Sequence, residues 1–185
     1  MQSQNLYFLA IIPHSKVAGE VTAYKEYIAQ RYNSEKALRV MPHITLKAPF
    51  LEDAAQHNVL CTWFSQIAVT TPAFTQQIDG FGAFNNPKKP VLYIRPVINP
   101  ELLGLQQQII NSYKAAFPQT ALSYSDERFS PHITIGYRDL LPEMFAEAWN
   151  EFEHKEYKTT FEVQSFYLLQ HDGKKWNVIA EKNLL

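Results

Sequence analysis

A tetrapeptide, Pro-His-Ile-Thr, occurs twice, at Pro42-His43-Ile44-Thr45 and at Pro131-His132-Ile133-Thr134, and each copy is followed by another aliphatic residue, Leu46 or Ile135. At average residue usage, one chance copy would arise in roughly one such chain in a few thousand. Two copies therefore point to an internal duplication, and a duplicated unit strongly limits what 185 residues can fold into. Flanking elements repeat at similar distances. Leu6-Tyr7 matches Leu92-Tyr93 at 86 residues, His43 matches His132 at 89, and Phe74 matches Phe161 at 87. Two repeats are too few for a solenoid. They predict two pseudo-symmetric lobes, each an antiparallel sheet with outer helices, facing a central cleft. The fold class is α+β, and residues 1–185 form a single bilobal domain. The first lobe spans about 1–84 and the second about 91–185. The proline- and asparagine-rich stretch at 84–90 is read as the hinge.

Apolar patterning orders the elements within that frame. Strands are expected over 6–12, 40–46, 74–81, 91–97, 129–137, 161–169 and 176–181, with a turn at His171-Asp172-Gly173. Helices are expected over 17–31, 53–68, 101–117 and 143–153. Asp53 opens the second of these, and Pro100 and Pro142 precede the last two.

Strand geometry then sorts the motif residues. Successive side chains alternate between faces, so His43 and Thr45 share one face while Ile44 and Leu46 enter the core. His132 and Thr134 do the same opposite Ile133 and Ile135. A continued strand would add Lys47 to the first polar face, and Tyr137, just past the second motif, is the candidate beside the second. Histidine is the side chain whose ordinary pKa lies nearest neutrality. Two histidines and two threonines in one cleft suit metal-free phosphoryl transfer. One neutral imidazole accepts a proton from the attacking water or hydroxyl, and one imidazolium protonates the departing oxygen. The threonine hydroxyls donate to the non-bridging phosphate oxygens. Phe84 is a candidate base-stacking platform. Arg128, four residues before His132, is a candidate phosphate contact or a partner of Asp126 or Glu127. His14, His57, His154 and His171 lack partner spacing and read as surface residues.

The remaining composition removes other classes. A net charge of −1 excludes bulk electrostatic coating of nucleic acid, so any RNA contact must be local. No apolar run approaches the ~18 residues that span a bilayer. The start, Met1-Gln2-Ser3-Gln4, lacks the basic region of an export signal. A single cysteine, Cys61, fits a reducing compartment, and the expected location is the cytoplasm. There is no His-Glu-x-x-His, no cysteine cluster and no Gly-rich loop ending in Lys-Ser/Thr, so neither a metal nor a cofactor is expected.

The pair of His-x-Thr-aliphatic motifs resembles the two-histidine (2H) phosphoesterase superfamily, which includes 2′-5′ RNA ligases and RNA 2′,3′-cyclic phosphodiesterases. The opening strand Leu6-Tyr7-Phe8-Leu9-Ala10-Ile11, the segment Gly80-Phe81-Gly82-Ala83-Phe84 and the run from Arg128 to Tyr137 extend the resemblance over nearly the whole chain. The resemblance implies the 2H fold and an attack on nucleotide phosphodiesters that needs neither metal nor ATP. It implies catalytic roles for His43 and His132 and phosphate contacts for Thr45 and Thr134. The expected substrates are 2′,3′-cyclic phosphate ends of RNA or small cyclic nucleotides. Hydrolysis is one reaction, and reversible 2′-5′ ligation, with a 5′-hydroxyl in place of water, is the other. The expected state is a monomer without membrane association. The alternative reading is a non-catalytic RNA- or nucleotide-binding module that retains the cleft.

Overall fold

The computed structural model of the chain describes residues 4–185, apart from the side chain of Ser15. The export-signal reading of residues 1–3 lies outside the described residues. The described residues form eight strands: β1 (Gln4–Ile11), β2 (Ile44–Asp53), β3 (Phe74–Phe84), β4 (Val91–Pro96), β5 (Ile133–Gly136), β6 (Lys158–Val163), β7 (Ser165–His171) and β8 (Trp176–Asn183). Five helices accompany them: α1 (Ser15–Tyr32), α2 (His57–Gln66), α3 (Pro100–Ala116), the short α4 (Tyr124–Glu127) and α5 (Pro142–Phe152). The strands form two four-stranded antiparallel sheets, ordered β2-β1-β7-β8 and β5-β4-β3-β6. The α+β class and the two-sheet architecture agree with the expectation, and each motif strand occupies a sheet edge.

The lobe boundaries differ from the expected halves. Residues 85–90 are the loop of the β3–β4 hairpin, where Phe84 pairs with Val91, so they do not form a hinge between lobes. The first sheet takes its third and fourth strands from the C-terminal end, β7 and β8, and β3 belongs to the second sheet. Phe74 and Phe161 therefore lie on neighbouring strands of one sheet: Phe74 pairs with Val163 and Gln76 with Phe161. The first matched pair shifts as well. Ala10 faces Thr45 as Tyr93 faces Thr134, which relates β1 to β4 at 83 residues. Residues 161–169 read as one strand, but the chain changes sheets at Gln164. Asp53 ends a strand that runs well past Leu46, and its side chain caps a single 3₁₀ turn before α2 begins at His57. Pro49 is tolerated in this strand because β2 is an edge.

Helix packing ties the lobes into one core. Helix α1 follows a strand of the first sheet, yet its Tyr24 packs edge-on against Phe81, Phe152 and Tyr157 of the second lobe. Helix α3 follows a strand of the second sheet, and its Tyr113 packs against Phe50 and Trp63 beside the first. Each crossover helix thus covers the other lobe. The buried apolar residues between the two sheets consequently form one contiguous cluster, and a second, small one lies on the other face of the first sheet. His57, expected at the surface, is engaged at the start of α2, where its Nδ1 lies 2.9 Å from the Tyr7 hydroxyl. Among the described residues no helix is long and apolar enough to cross a membrane.

Candidate active site

The cleft face of the first sheet is floored by Phe8, Ala10, Tyr167 and Leu169, on the opposite side of β1 from the main core. His43 and Thr45 stand on this face. His132 and Thr134 stand on the facing edge of the other sheet. All four line one cavity of about 150 Å³, together with Phe8, Lys25, Tyr137, Arg138 and Trp176 among others. A second recess shares Thr45, Pro49 and His132 with it and continues past Phe84, Tyr124, Arg128 and Phe129. The two recesses are therefore arms of one groove that passes the histidines.

The two imidazoles are held in the same way. His43 Nδ1 lies 2.8 Å from the Met41 carbonyl and His132 Nδ1 lies 2.8 Å from the Ser130 carbonyl. A carbonyl only accepts, so Nδ1 carries the proton in both rings and Nε2 remains free for chemistry. Aromatic neighbours fix the ring planes. Phe8 lies 5.0 Å from His43, and Phe84 and Tyr93 lie 5.0 and 5.5 Å from His132, between centroids. Burial lowers both histidine pKa values. That of His43 is pushed down to about 4, with the Lys25 and His132 charges adding to burial. For His132 burial acts against the Ser130 hydrogen bond and still lowers the value. Neither threonine hydroxyl is hydrogen-bonded to another described residue, so both are free to donate into the cavity.

A repeated irregularity decides which flanking residues reach the groove. Ala10 pairs with Thr45 but Leu9 with Lys47, so Leu46 is an extra residue. Likewise Tyr93 pairs with Thr134 but Leu92 with Gly136, so Ile135 is an extra residue. The first bulge turns Lys47 away from the cleft, correcting the expectation from plain alternation. Lys47 is instead 1% exposed and paired at 3.2 Å with Asp126 inside the interlobe core. Plain alternation would put Gly136, not Tyr137, beside Thr134; the second bulge brings Tyr137 to that face, so Tyr137 lines the cavity as expected, though for a different reason. Phe84 lines the second recess from the end of β3. Arg128 also lines it, although the strand expected there begins only at Ile133; its guanidinium lies 5.5 Å from the Tyr124 ring. Asp126, offered as a partner for Arg128, is committed to Lys47.

Several groove residues escaped sequence reasoning. Lys25 carried a usable signal, since it interrupts the apolar helical stripe of Val17, Val21, Ile28 and Tyr32. Phe8, Tyr93 and Trp176 reach the site only through sheet pairing. Arg138, readable from the sequence only as one of several basic residues, lines the cavity from a left-handed conformation, φ 61°, which is costly for a side chain with a Cβ. Gly82 matters because a Cβ there would meet the Tyr93 ring at 2.4 Å. Gly82→Ala is expected to displace that ring, cost about 1–3 kcal/mol as overpacking does, and shift the His132 ring-proton resonances. Unchanged resonances and melting temperature would mean that Tyr93 yields without disturbing His132. Among the described residues no cluster of three or more His, Cys, Asp or Glu side chains is placed to hold a metal ion.

Comparison with known proteins places these features in context. Residues 13–175 match the family model of the 2′-5′ RNA ligase superfamily. A Geobacillus kaustophilus protein, provisionally named a phosphoesterase, is 30% identical over 173 residues, covering 93% of this chain and 92% of the relative. A Bacillus mycoides protein with the same provisional name is 33% identical over 152 residues, covering 82% and 83%. Among solved structures, TT0787 of Thermus thermophilus matches with a TM-score of 0.66 at 14% identity, covering 97% of both chains. LigT of E. coli, crystallised with 3′-AMP, matches at 0.64 and 16%, covering 98% of this chain and 99% of LigT.

Proposed function

The chain belongs to the 2′-5′ RNA ligase superfamily, whose fold it shares, and from that premise we propose that it opens 2′,3′-cyclic phosphates of RNA ends or small nucleotides. The observation that carries this reading is the duplicated imidazole geometry: two rings, each with Nδ1 fixed on a backbone carbonyl and Nε2 free at one cavity. The groove supports a nucleotide substrate. Phe84 and Tyr124 offer aromatic faces for a base, each stacked base being worth ~1–3 kcal/mol. LigT has been crystallised with a mononucleotide, which fits the same substrate class.

In the hydrolytic direction a water attacks phosphorus. His43 Nε2 takes a proton from the water as the P–O bond forms. His132 Nε2–H protonates the ester oxygen as its bond to phosphorus breaks. The Thr45 and Thr134 hydroxyls donate to the non-bridging oxygens, where negative charge grows. The electrostatics support this assignment: burial, with the Lys25 and His132 charges added, favours neutral His43, whereas burial alone lowers His132. With a 5′-hydroxyl attacking in place of water, the same base and acid would form a 2′-5′ bond as the 3′-oxygen leaves with the His132 proton; the back-reaction, attack of that 3′-hydroxyl on the new linkage, exchanges the roles of the two imidazoles.

The assay that tests this is release of nucleoside monophosphate from nucleoside 2′,3′-cyclic phosphates in the presence of EDTA. Its pH profile has a definite sign. The base must be neutral, so kcat/KM falls as pH drops through about 4. The acid must be protonated, so kcat/KM falls again as pH rises past the lowered His132 value, below 6.5. The bell therefore lies on the acid side of neutrality. In kcat the alkaline limb moves upward, because bound phosphate favours the imidazolium. A kcat/KM maximum above neutrality would overturn the assignment of acid and base.

A further inference from the structure

Two lysines are buried, and they are treated differently. Lys47 is neutralised by Asp126. Lys25, on α1, is 3% exposed and makes one hydrogen bond, Nζ to the Val40 carbonyl at 2.8 Å. An ammonium has three N–H donors, so two remain. Among the described residues no carboxylate lies within ion-pair distance of Lys25, and none lines the cavity that Lys25 shares with the two histidines and two threonines. A buried cation without a counter-charge is unfavourable in the empty protein. It becomes favourable once an anion enters. The symmetry of the fold does not require it either: α3, the other crossover helix, carries its one lysine, Lys114, at an exposed position.

We propose that Lys25 is a further contact to the phosphate held between His43 and His132, donating to a non-bridging oxygen beside the threonine hydroxyls. This assignment rests on the phosphoesterase reading above and goes beyond the duplicated motif. It makes the two halves of the site unequal. The groups facing Lys25 in the cavity are His43 from β2's approach, His132 and Tyr137 around β5, and Arg138, which stands exposed at the rim. Burial lowers Lys25 to about 8. The histidines are neutral at that pH, so an entering phosphate is the one new charge that Lys25 meets.

Two measurements test the proposal. Lys25→Met keeps the length and removes the charge. It is expected to lower kcat/KM for 2′,3′-cyclic phosphate hydrolysis by about 100-fold or more, the scale of a lost oxyanion donor. Its melting temperature should stay level or rise, because an unpaired buried charge has gone. A merely structural lysine would instead lose stability and activity together. The second measurement needs no variant: lysine Cε resonances of the wild-type protein are followed against pH with and without inorganic phosphate. One resonance titrating near 8 should move up by about one unit when phosphate binds, the direction in which an opposite charge acts. Lys47, held by Asp126 outside the cavity, should not respond. Wild-type turnover with Lys25→Met within about threefold, or an unmoved resonance with phosphate bound, overturns the Lys25 contact and leaves the phosphoesterase reading standing. Phosphate binding that moves the resonance, without turnover of any cyclic phosphate, keeps the contact and overturns the substrate reading instead.

Discussion

His43→Ala and His132→Ala are each expected to lower kcat for cyclic phosphate opening by at least about 100-fold, toward 10⁴-fold, which is the span of general acid or base catalysis. The geometry makes the losses large because no other group is poised to replace either ring. Each imidazole presents only Nε2 to the cavity, with Nδ1 occupied at 2.8 Å by a backbone carbonyl. The two losses should not add. Once one proton transfer has to go through solvent, the remaining histidine loses much of its advantage, so the double variant should be little worse than either single one. The profiles separate the roles. His132→Ala should lose the alkaline limb of kcat/KM, and His43→Ala the acid limb near pH 4. Neither ring supports the core, so both variants should melt close to the wild type. Equal turnover by wild type and both variants, at unchanged stability, would leave the binding-module reading in place of the enzyme.

What could be read from the chain was what is local. Four residues of strand alternation suffice to put His43 with Thr45 and His132 with Thr134, and that holds wherever the strands pair. Lys47 and Tyr137 lie beyond the bulges at Leu46 and Ile135, and a bulge is a property of two strands together. Alternation along one strand could not reveal it. The same limit explains the lobe boundary. Phe161 and Leu169 lie in one stretch that reads as a single strand, but the chain leaves the second sheet at Gln164 and enters the first, where β7 pairs with β1. Spacing between phenylalanines carried no information about which sheet each would join. Lys25 is different in kind: its position on an apolar stripe was visible, but whether a carboxylate would meet it depended on the assembled cavity.

The largest stability effect is expected at Asp126, the residue that joins the two motif strands. Its carboxylate sits 3.2 Å from Lys47 Nζ and accepts from the backbone N–H groups of Ala48 at 2.7 Å and Ser123 at 3.0 Å. Lys47 lies two residues past Thr45, and Asp126 lies six residues before His132. The pair therefore clamps the two halves of the site to each other from the core side. Both side chains are 1% exposed, so water cannot take over from a missing partner. Asp126→Ala leaves a buried ammonium unpaired beside the Tyr113 and Phe50 rings, and strands two N–H donors. Removing one partner of a buried pair costs about 3–5 kcal/mol. For a chain of this size that corresponds to roughly 10 °C in Tm. Asp126→Asn retains an acceptor and should lose less. Lys47→Met combined with Asp126→Ala should recover part of the loss but not all, since the Ala48 and Ser123 donors remain without an acceptor. The clamp also predicts a functional difference. At a temperature where Asp126→Asn is fully folded, its kcat should fall, because the facing imidazoles no longer keep their separation. An Asp126→Ala protein that melts with the wild type would mean that the pair contributes nothing net, and that the interlobe geometry is held by the Tyr113 and Tyr24 aromatic contacts alone.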